Sequence, residues 1–257
     1  MSGSGFSKIP SAVKQGTWTS EKLIKQATAW AQQLKAAGIN LNLAPVADTV
    51  PPSMTKKNEP IGALQREFGS DPVKVGQQAA AFIQGMNAGG VQACAKHFPG
   101  LGRITGNTDY TDKGVTDTAT TTTDAYLTAF QQAMGAHPAM VMGSLATYSK
   151  IDAKQPAVFS SKVITDLLRG QLGWQGVVIS DALEGEAIKS VPVTQRGVDF
   201  IKAGGDIAIL TSVSDVDKAA QGIESLMTID DAFAAQVNAA VMRVLQAKAA
   251  AGLLGTS

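Results

Sequence analysis

Five times along this chain a short apolar run is paired with a segment of helical spacing, and that alternation leaves few folds open. The apolar runs fall at residues 39–48, 91–97, 139–144, 176–181 and 206–210. Around them, Leu23, Ala27, Trp30 and Leu34, then Val75, Ala79, Phe82, Ile83 and Met86, then Leu127 and Phe130, then Val163, Ile164, Leu167 and Leu168 recur at the spacing of one helix face. Two helices close the chain, the last over about 230–251 with Phe233, Val237, Val241 and Val244 inward. Thr19 or Ser20, Asp71 before Pro72, Asp124 and Ser160 are placed to start helices, and Gly38 and Gly173 to end them. Strands joined through helices lie parallel, with right-handed crossovers. The sequence therefore predicts an α/β fold on a parallel sheet.

The polar residues follow a second pattern. Asp48, Lys96 with His97, Ser144 and Asp181 each end a different apolar run. In a barrel of parallel strands those ends converge on one mouth, where catalytic groups are found. The second run opens into a turn-rich loop with Pro99, Gly100, Gly102 and Gly106, a composition that lets backbone pass close to a ligand. A Lys–His pair at a strand end also fits a solvated edge. A phosphate loop fits poorly, because such a loop opens directly into a helix and residues 103–117 show no helical period.

Composition narrows the function classes. The chain has 257 residues, 44% hydrophobic and 17% charged, with 22 Lys and Arg against 21 Asp and Glu. A formal charge of +1 gives no electrostatic case for nucleic acid, and no apolar run reaches the ~18 residues of a membrane span. The single cysteine, Cys94, lies in an apolar run and reads as an inert core thiol; one cysteine makes neither an internal disulfide nor a multi-cysteine metal cluster. His97 has one other histidine for company, His137, which precedes Pro138 in an expected loop, so a metal site is not expected. Residues 1–5 read as a linker and residues 6–257 as one domain.

Four segments, 39–48, Arg66 to Pro72, Lys96 to Gly102 and Val178 to Leu183, resemble in order and spacing the motifs of glycoside hydrolase family 3. The nearest type is its single-domain β-N-acetylhexosaminidases, which act in peptidoglycan turnover. The resemblance implies a (β/α)8 TIM-barrel fold, hydrolysis of β-glycosides with retention, a carbohydrate substrate, and no cofactor. Residue by residue, it implies that Asp181 is the nucleophile, that Arg66, Lys96 and His97 hold the hydroxyls of the terminal sugar, and that Asp48 is a strand-end acid beside them. The residue types suit the chemistry: an oxocarbenium-like transition state needs a carboxylate beneath the ring and fixed hydrogen bonds around it. The strand-end loop also resembles that of exported envelope members, which implies a site outside the cytoplasm, with a cytoplasmic one as the alternative.

Two departures from the family pattern shape the expectations. Members of this type usually carry Asp-Ser-His in the mobile loop, with the histidine as acid/base; this chain has Asn107, Thr108 and Asp109. Asp109 can take the proton-donor role if the loop desolvates it, and Asp112 and Asp117 are the other carboxylates within reach in sequence. The family barrel also has three strands before the one at residue 39, including one ending in an Asp-Gln-Glu-Gly-Gly type motif that is not found here. The expectation is thus a barrel truncated to about five β/α units, with open strand edges that pair with another copy or a partner chain, or are covered by a rearranged segment within 4–18. The rival to a hydrolase is a sugar-binding or structural barrel fragment without turnover.

Overall fold

A computed structural model of the chain describes residues 3–255. Met1 and Ser2, part of the expected linker at 1–5, lie outside the described residues. In chain order the elements begin with α1 (Ala12–Gln15), α2 (Ser20–Ala36), β1 (Leu41–Asn42), α3 (Pro72–Ala88), β2 (Gln92–Phe98), β3 (Thr116–Asp117) and α4 (Leu127–Gly135). β4 (Met140–Gly143), β5 (Thr147–Tyr148) and β6 (Asp152–Pro156) follow, then a π-wound helix over Lys162–Gln171. β7 (Val177–Ala182), α5 (Val193–Lys202), β8 (Ile207–Ile209), α6 (Val213–Met227) and α7 (Asp231–Ala250) complete the chain. The main sheet has the strand order β1-β2-β4-β7-β8, and the pairings β1 with β2 and β7 with β8 are parallel. This is the α/β architecture of a five-unit partial barrel. β3, β5 and β6 form a separate small sheet that the sequence did not announce.

The chain divides into two compact units, the first of residues 1–105 and 123–141, the second of residues 106–122 and 142–257. In the first unit, α2 starts on Thr19, whose side chain accepts the Lys22 N–H, and α3 starts on Asp71, which accepts the Lys74 N–H, with Pro72 as first helical residue. Pro72 costs nothing there because that N–H has no partner inside the helix. Leu23, Ala27, Trp30, Ala31 and Leu34 form the buried face of α2. α3 meets that face through Gly85: a Cβ there would lie 2.5 Å from the Ala27 Cβ and 2.6 Å from the Ile24 carbonyl oxygen. Glycine thus sets the distance between the two helices. The segment before α2 folds back onto this unit, with the Ser7 N–H donating to Gln33 Oε1 and Gln15 Nε2 to the Pro10 carbonyl.

In the second unit, α5, α6 and α7 share an apolar cluster of Val198, Ile201 and Phe233, packed by Ile223, Leu226, Met227 and Val237. Asp230 caps α7 by accepting the Phe233 N–H. Its base is fastened by Asp206, just before β8. That carboxylate is wholly buried and accepts from Arg169 Nη2 (2.7 Å), Arg243 Nε (2.8 Å) and the Val178 N–H (2.7 Å).

Several boundaries differ from expectation, each for a local reason. The first strand keeps only Leu41 and Asn42 in the ladder, because Pro45 has no N–H to offer β2; Val46 then bridges Lys96. Asp124 is not the cap of α4, whose N-cap is Tyr126: the Asp124 carboxylate accepts the Tyr126 N–H and takes both guanidinium nitrogens of Arg103 (2.7 and 3.1 Å). Val241 was expected inward on α7 but is 49% exposed.

Candidate active site

In the first unit the site residues gather where β2 ends. Lys96 is half-buried, and its backbone is fixed on both sides, its N–H donating to the Pro45 carbonyl and its carbonyl accepting the Ala47 N–H. His97 follows, with its ring buried. Asp48 is the centre of this group. Its Oδ2 lies 2.7 Å from His97 Nδ1, and its Oδ1 accepts the backbone N–H of His97 (3.2 Å) and of Leu101 (2.9 Å). The side chain of Asp48 has no exposed surface. Expected to stand beside the sugar, it spends both carboxylate oxygens on the protein, holding the imidazole and the loop that leaves β2. Gly102 makes that loop fit: a Cβ at this position would fall 1.9 Å from the Thr49 carbonyl oxygen.

Arg66 joins the same group from the Pro-rich loop. Its Nη1 donates to the Pro60 carbonyl (2.7 Å) and its Nη2 stands 3.4 Å from His97 Nε2. It also borders a groove of about 380 Å³ with Ala44, Val46 and Phe68. Sequence reading missed the residue that fastens this loop. Asn58, wholly buried, donates through Nδ2 to the carbonyls of Leu101 and Ile104 (both 2.7 Å) and accepts through Oδ1 the N–H groups of Ile61 and Gly62. All its hydrogen-bonding capacity is used, so it ties the Arg66 loop to the loop after His97. A lone Asn among polar residues carries no periodic signal that could have found it. Beside Arg66, Glu67 is buried at 4% exposure, and burial pushes its carboxyl above the ordinary glutamate range.

In the second unit, Asp181 stands half-buried at the carboxyl end of β7, with Oδ1 accepting the Ala182 N–H (2.9 Å). The β7–β8 register slips between Ile179 and Ala182, and the buried hydroxyl of Ser180 fills the break by accepting the Ile209 N–H (2.9 Å). Such an irregularity at a strand end redirects the side chains around it. Ser144, past the end of β4, is buried and bonded to the Tyr148 hydroxyl (3.0 Å).

The loop bearing Asp109 is held to the turn after Asp181. The carbonyl of Thr108 accepts the Ala187 N–H (3.1 Å) and that of Asp109 the Glu186 N–H (3.3 Å). The Asp109 side chain is exposed, as is that of Asp112. Asp117 is committed elsewhere: it is 1% exposed and accepts the N–H groups of Ala119 and Thr120 and the Thr120 hydroxyl. Glu184, not singled out from sequence, accepts the N–H groups of Thr211 and Ser212 at the start of α6.

The structure thus brings Asp48, His97 and Arg66 together in the first unit, and holds the Asp109 loop against the segment after Asp181 in the second. The family pattern described as Glycosyl hydrolase family 3 N terminal domain matches residues 2–247. A β-hexosaminidase of Stenotrophomonas maltophilia (strain R551-3) is 34% identical over 200 residues, which are 76% of this chain and 57% of that protein. A protein of Arthroderma benhamiae described as an uncharacterized secreted glycosyl hydrolase is 38% identical over 186 residues, 70% of this chain and 50% of that one. The crystal structure of a β-N-acetylhexosaminidase from Beutenbergia cavernae superposes with a TM-score of 0.92 at 45% identity, covering 97% of this chain and 74% of the other. The chain spans between half and three-fifths of the length of those two sequence relatives.

Proposed function

Since this chain belongs to glycosyl hydrolase family 3, we propose that it carries the active site of a retaining exo-β-N-acetylglucosaminidase acting on peptidoglycan-derived or related β-glycosides. The observation that carries this reading is Asp181, a half-buried carboxylate at the carboxyl end of a parallel strand, within the segment that resembles the family's nucleophile motif. The Asp181 carboxylate attacks the anomeric carbon and forms a glycosyl ester as the bond to the leaving oxygen breaks; that oxygen takes a proton from Asp109. Water then attacks the anomeric carbon, gives a proton to Asp109 and frees the Asp181 carboxylate. Arg66 and Lys96 hold the sugar hydroxyls, and His97, expected to do the same, acts on them through Arg66, because both its ring nitrogens are engaged. The N-acetyl-β-glucosaminide class is supported by the names of the Stenotrophomonas and Beutenbergia relatives.

Export from the cytoplasm is part of the same reading, supported by the secreted relative; no helix of the described residues is long and apolar enough to cross a membrane. Self-association through the end strands β1 and β8 belongs to it as well, because an unpaired strand edge is a template for another chain. Light scattering of the purified chain measures that assembly state.

The test of function is release of nitrophenol from a 4-nitrophenyl N-acetyl-β-glucosaminide, with Asp181→Asn as the control. Turnover by the chain that disappears in Asp181→Asn is the expected result. Sugar binding without turnover would favour the second reading, a non-catalytic fragment, which the exposed position of Asp109 supports. If Asp109 is the proton donor, Asp109→Ala slows substrates with poor leaving groups far more than nitrophenyl glycosides, which need little protonation.

A further inference from the structure

We infer that Asp48 is a positioning residue that fixes the proton of His97 on Nδ1 and, through the bare Nε2, aims the guanidinium of Arg66. The contacts order themselves. Arginine has donors only, so the 3.4 Å approach of Arg66 Nη2 requires His97 Nε2 to accept. The proton of the neutral ring then sits on Nδ1, 2.7 Å from Asp48 Oδ2, an ionised acceptor wholly inside the protein. The other carboxylate oxygen binds the His97 and Leu101 N–H groups, so Asp48 cannot turn away without breaking two backbone bonds. Arg66 is pinned at its other nitrogen by the Pro60 carbonyl. A carboxylate, an imidazole and a guanidinium thus form one line in which each group sets the orientation of the next, as outer residues orient ligand-bearing histidines in metal sites.

Asp48 therefore acts on a bound sugar only through His97 and Arg66; this consequence rests on the reading of Arg66 as a sugar-holding residue. The tautomer does not rest on it. The Nε2–H form is the commoner one for a neutral histidine side chain in water, so finding the proton on Nδ1 is diagnostic.

With only two histidines in the chain, the ring can be read directly. Protein labelled with ¹⁵N-histidine gives two imidazole patterns in a long-range ¹H–¹⁵N spectrum, and His137→Asn assigns them. Asn suits that exposed position because the backbone there is left-handed, with φ of 57°. The expected result is His97 with Nδ1 protonated and Nε2 bare at neutral pH. A proton on Nε2, alone or together with Nδ1, would overturn the inference. In Asp48→Asn the side-chain amide can donate to Nδ1, so the proton should move to Nε2; an unchanged Nδ1–H tautomer in that variant would equally overturn it. If Asp48→Asn does not fold, the spectrum of the unaltered chain still decides. An N-acetylglucosamine titration of the same samples separates the two claims: about tenfold or greater weakening in Asp48→Asn is expected, the loss of one charge-assisted orientation. Unchanged affinity with the predicted tautomer would leave the relay standing and remove Arg66 from the sugar site.

Discussion

Asp48 in the first unit and Asp206 in the second both have wholly buried side chains that accept three N–H donors, and the two do different work. Asp206 stands before β8, at an amino end, and two of its donors are guanidinium groups from Arg169 and Arg243. Asp48 follows the first strand, at a carboxyl end, and its donors are an imidazole and two backbone amides. In parallel α/β barrels the carboxyl ends carry chemistry and the amino ends carry stability. The donors follow that division. Asp206 joins the π-wound helix and α7 to the strands with charged, long-reaching side chains, whereas Asp48 shapes a loop and one ring.

The comparison is broken most severely at Asp206. Asp206→Ala leaves two largely buried guanidinium groups without their carboxylate and should cost about 3–5 kcal/mol of stability, seen as a lower urea midpoint; a midpoint equal to that of the unaltered chain would mean that the clamp is idle. Where that variant is still folded, its sugar binding should match the unaltered chain. Asp48→Ala should do the reverse. Its stability cost should be smaller, about 1–3 kcal/mol for the unsatisfied buried donors, while sugar binding falls; equal losses of stability and unchanged binding would erase the distinction.

A third change sharpens the picture on the Asp48 side. Glu67 is buried beside Arg66 with its carboxyl raised by desolvation. A raised carboxyl leaves folding uncharged by this cost below the ordinary glutamate range, where both states are protonated. As pH climbs through and above that range, the unfolded chain ionises more readily and stability falls. Glu67→Gln removes that slope, so the stability of the variant relative to the unaltered chain should rise from pH 4 to pH 7. A gap that shrinks over that range would contradict the sign.

The two aspartates also mark how far sequence reaches. The alternation of apolar runs and helical segments was legible because burial imposes a period, and the five main strands fall on the expected runs, with β2 and β7 each ending one residue beyond. Asp48 was visible as an acid ending a run, but its partners lie 49 and 53 residues away. No local pattern says whether such a carboxylate turns to solvent or inward. Asp206 had still less signal, since the two arginines that define it lie 37 residues to either side. The small sheet was unreadable for another reason: β3 and β5 are two residues long, and the middle of β6 is exposed, so none carries an apolar alternation. The motif around Asp181 carried its own signal, and Ser180 proved to be the residue that mends the ladder beside it.

The central claim is that Asp181 becomes covalently bonded to the sugar, and it can be read by mass. A fluorinated N-acetylglucosaminide with a good leaving group forms the glycosyl-enzyme faster than water removes it. Trypsin then releases residues 170–189, which contain Asp181, Glu184 and Glu186. The account predicts a single sugar adduct on Asp181 by tandem mass spectrometry, absent from Asp181→Asn. An adduct on Glu184, Glu186 or any residue outside that peptide, or turnover that persists in Asp181→Asn, would contradict it.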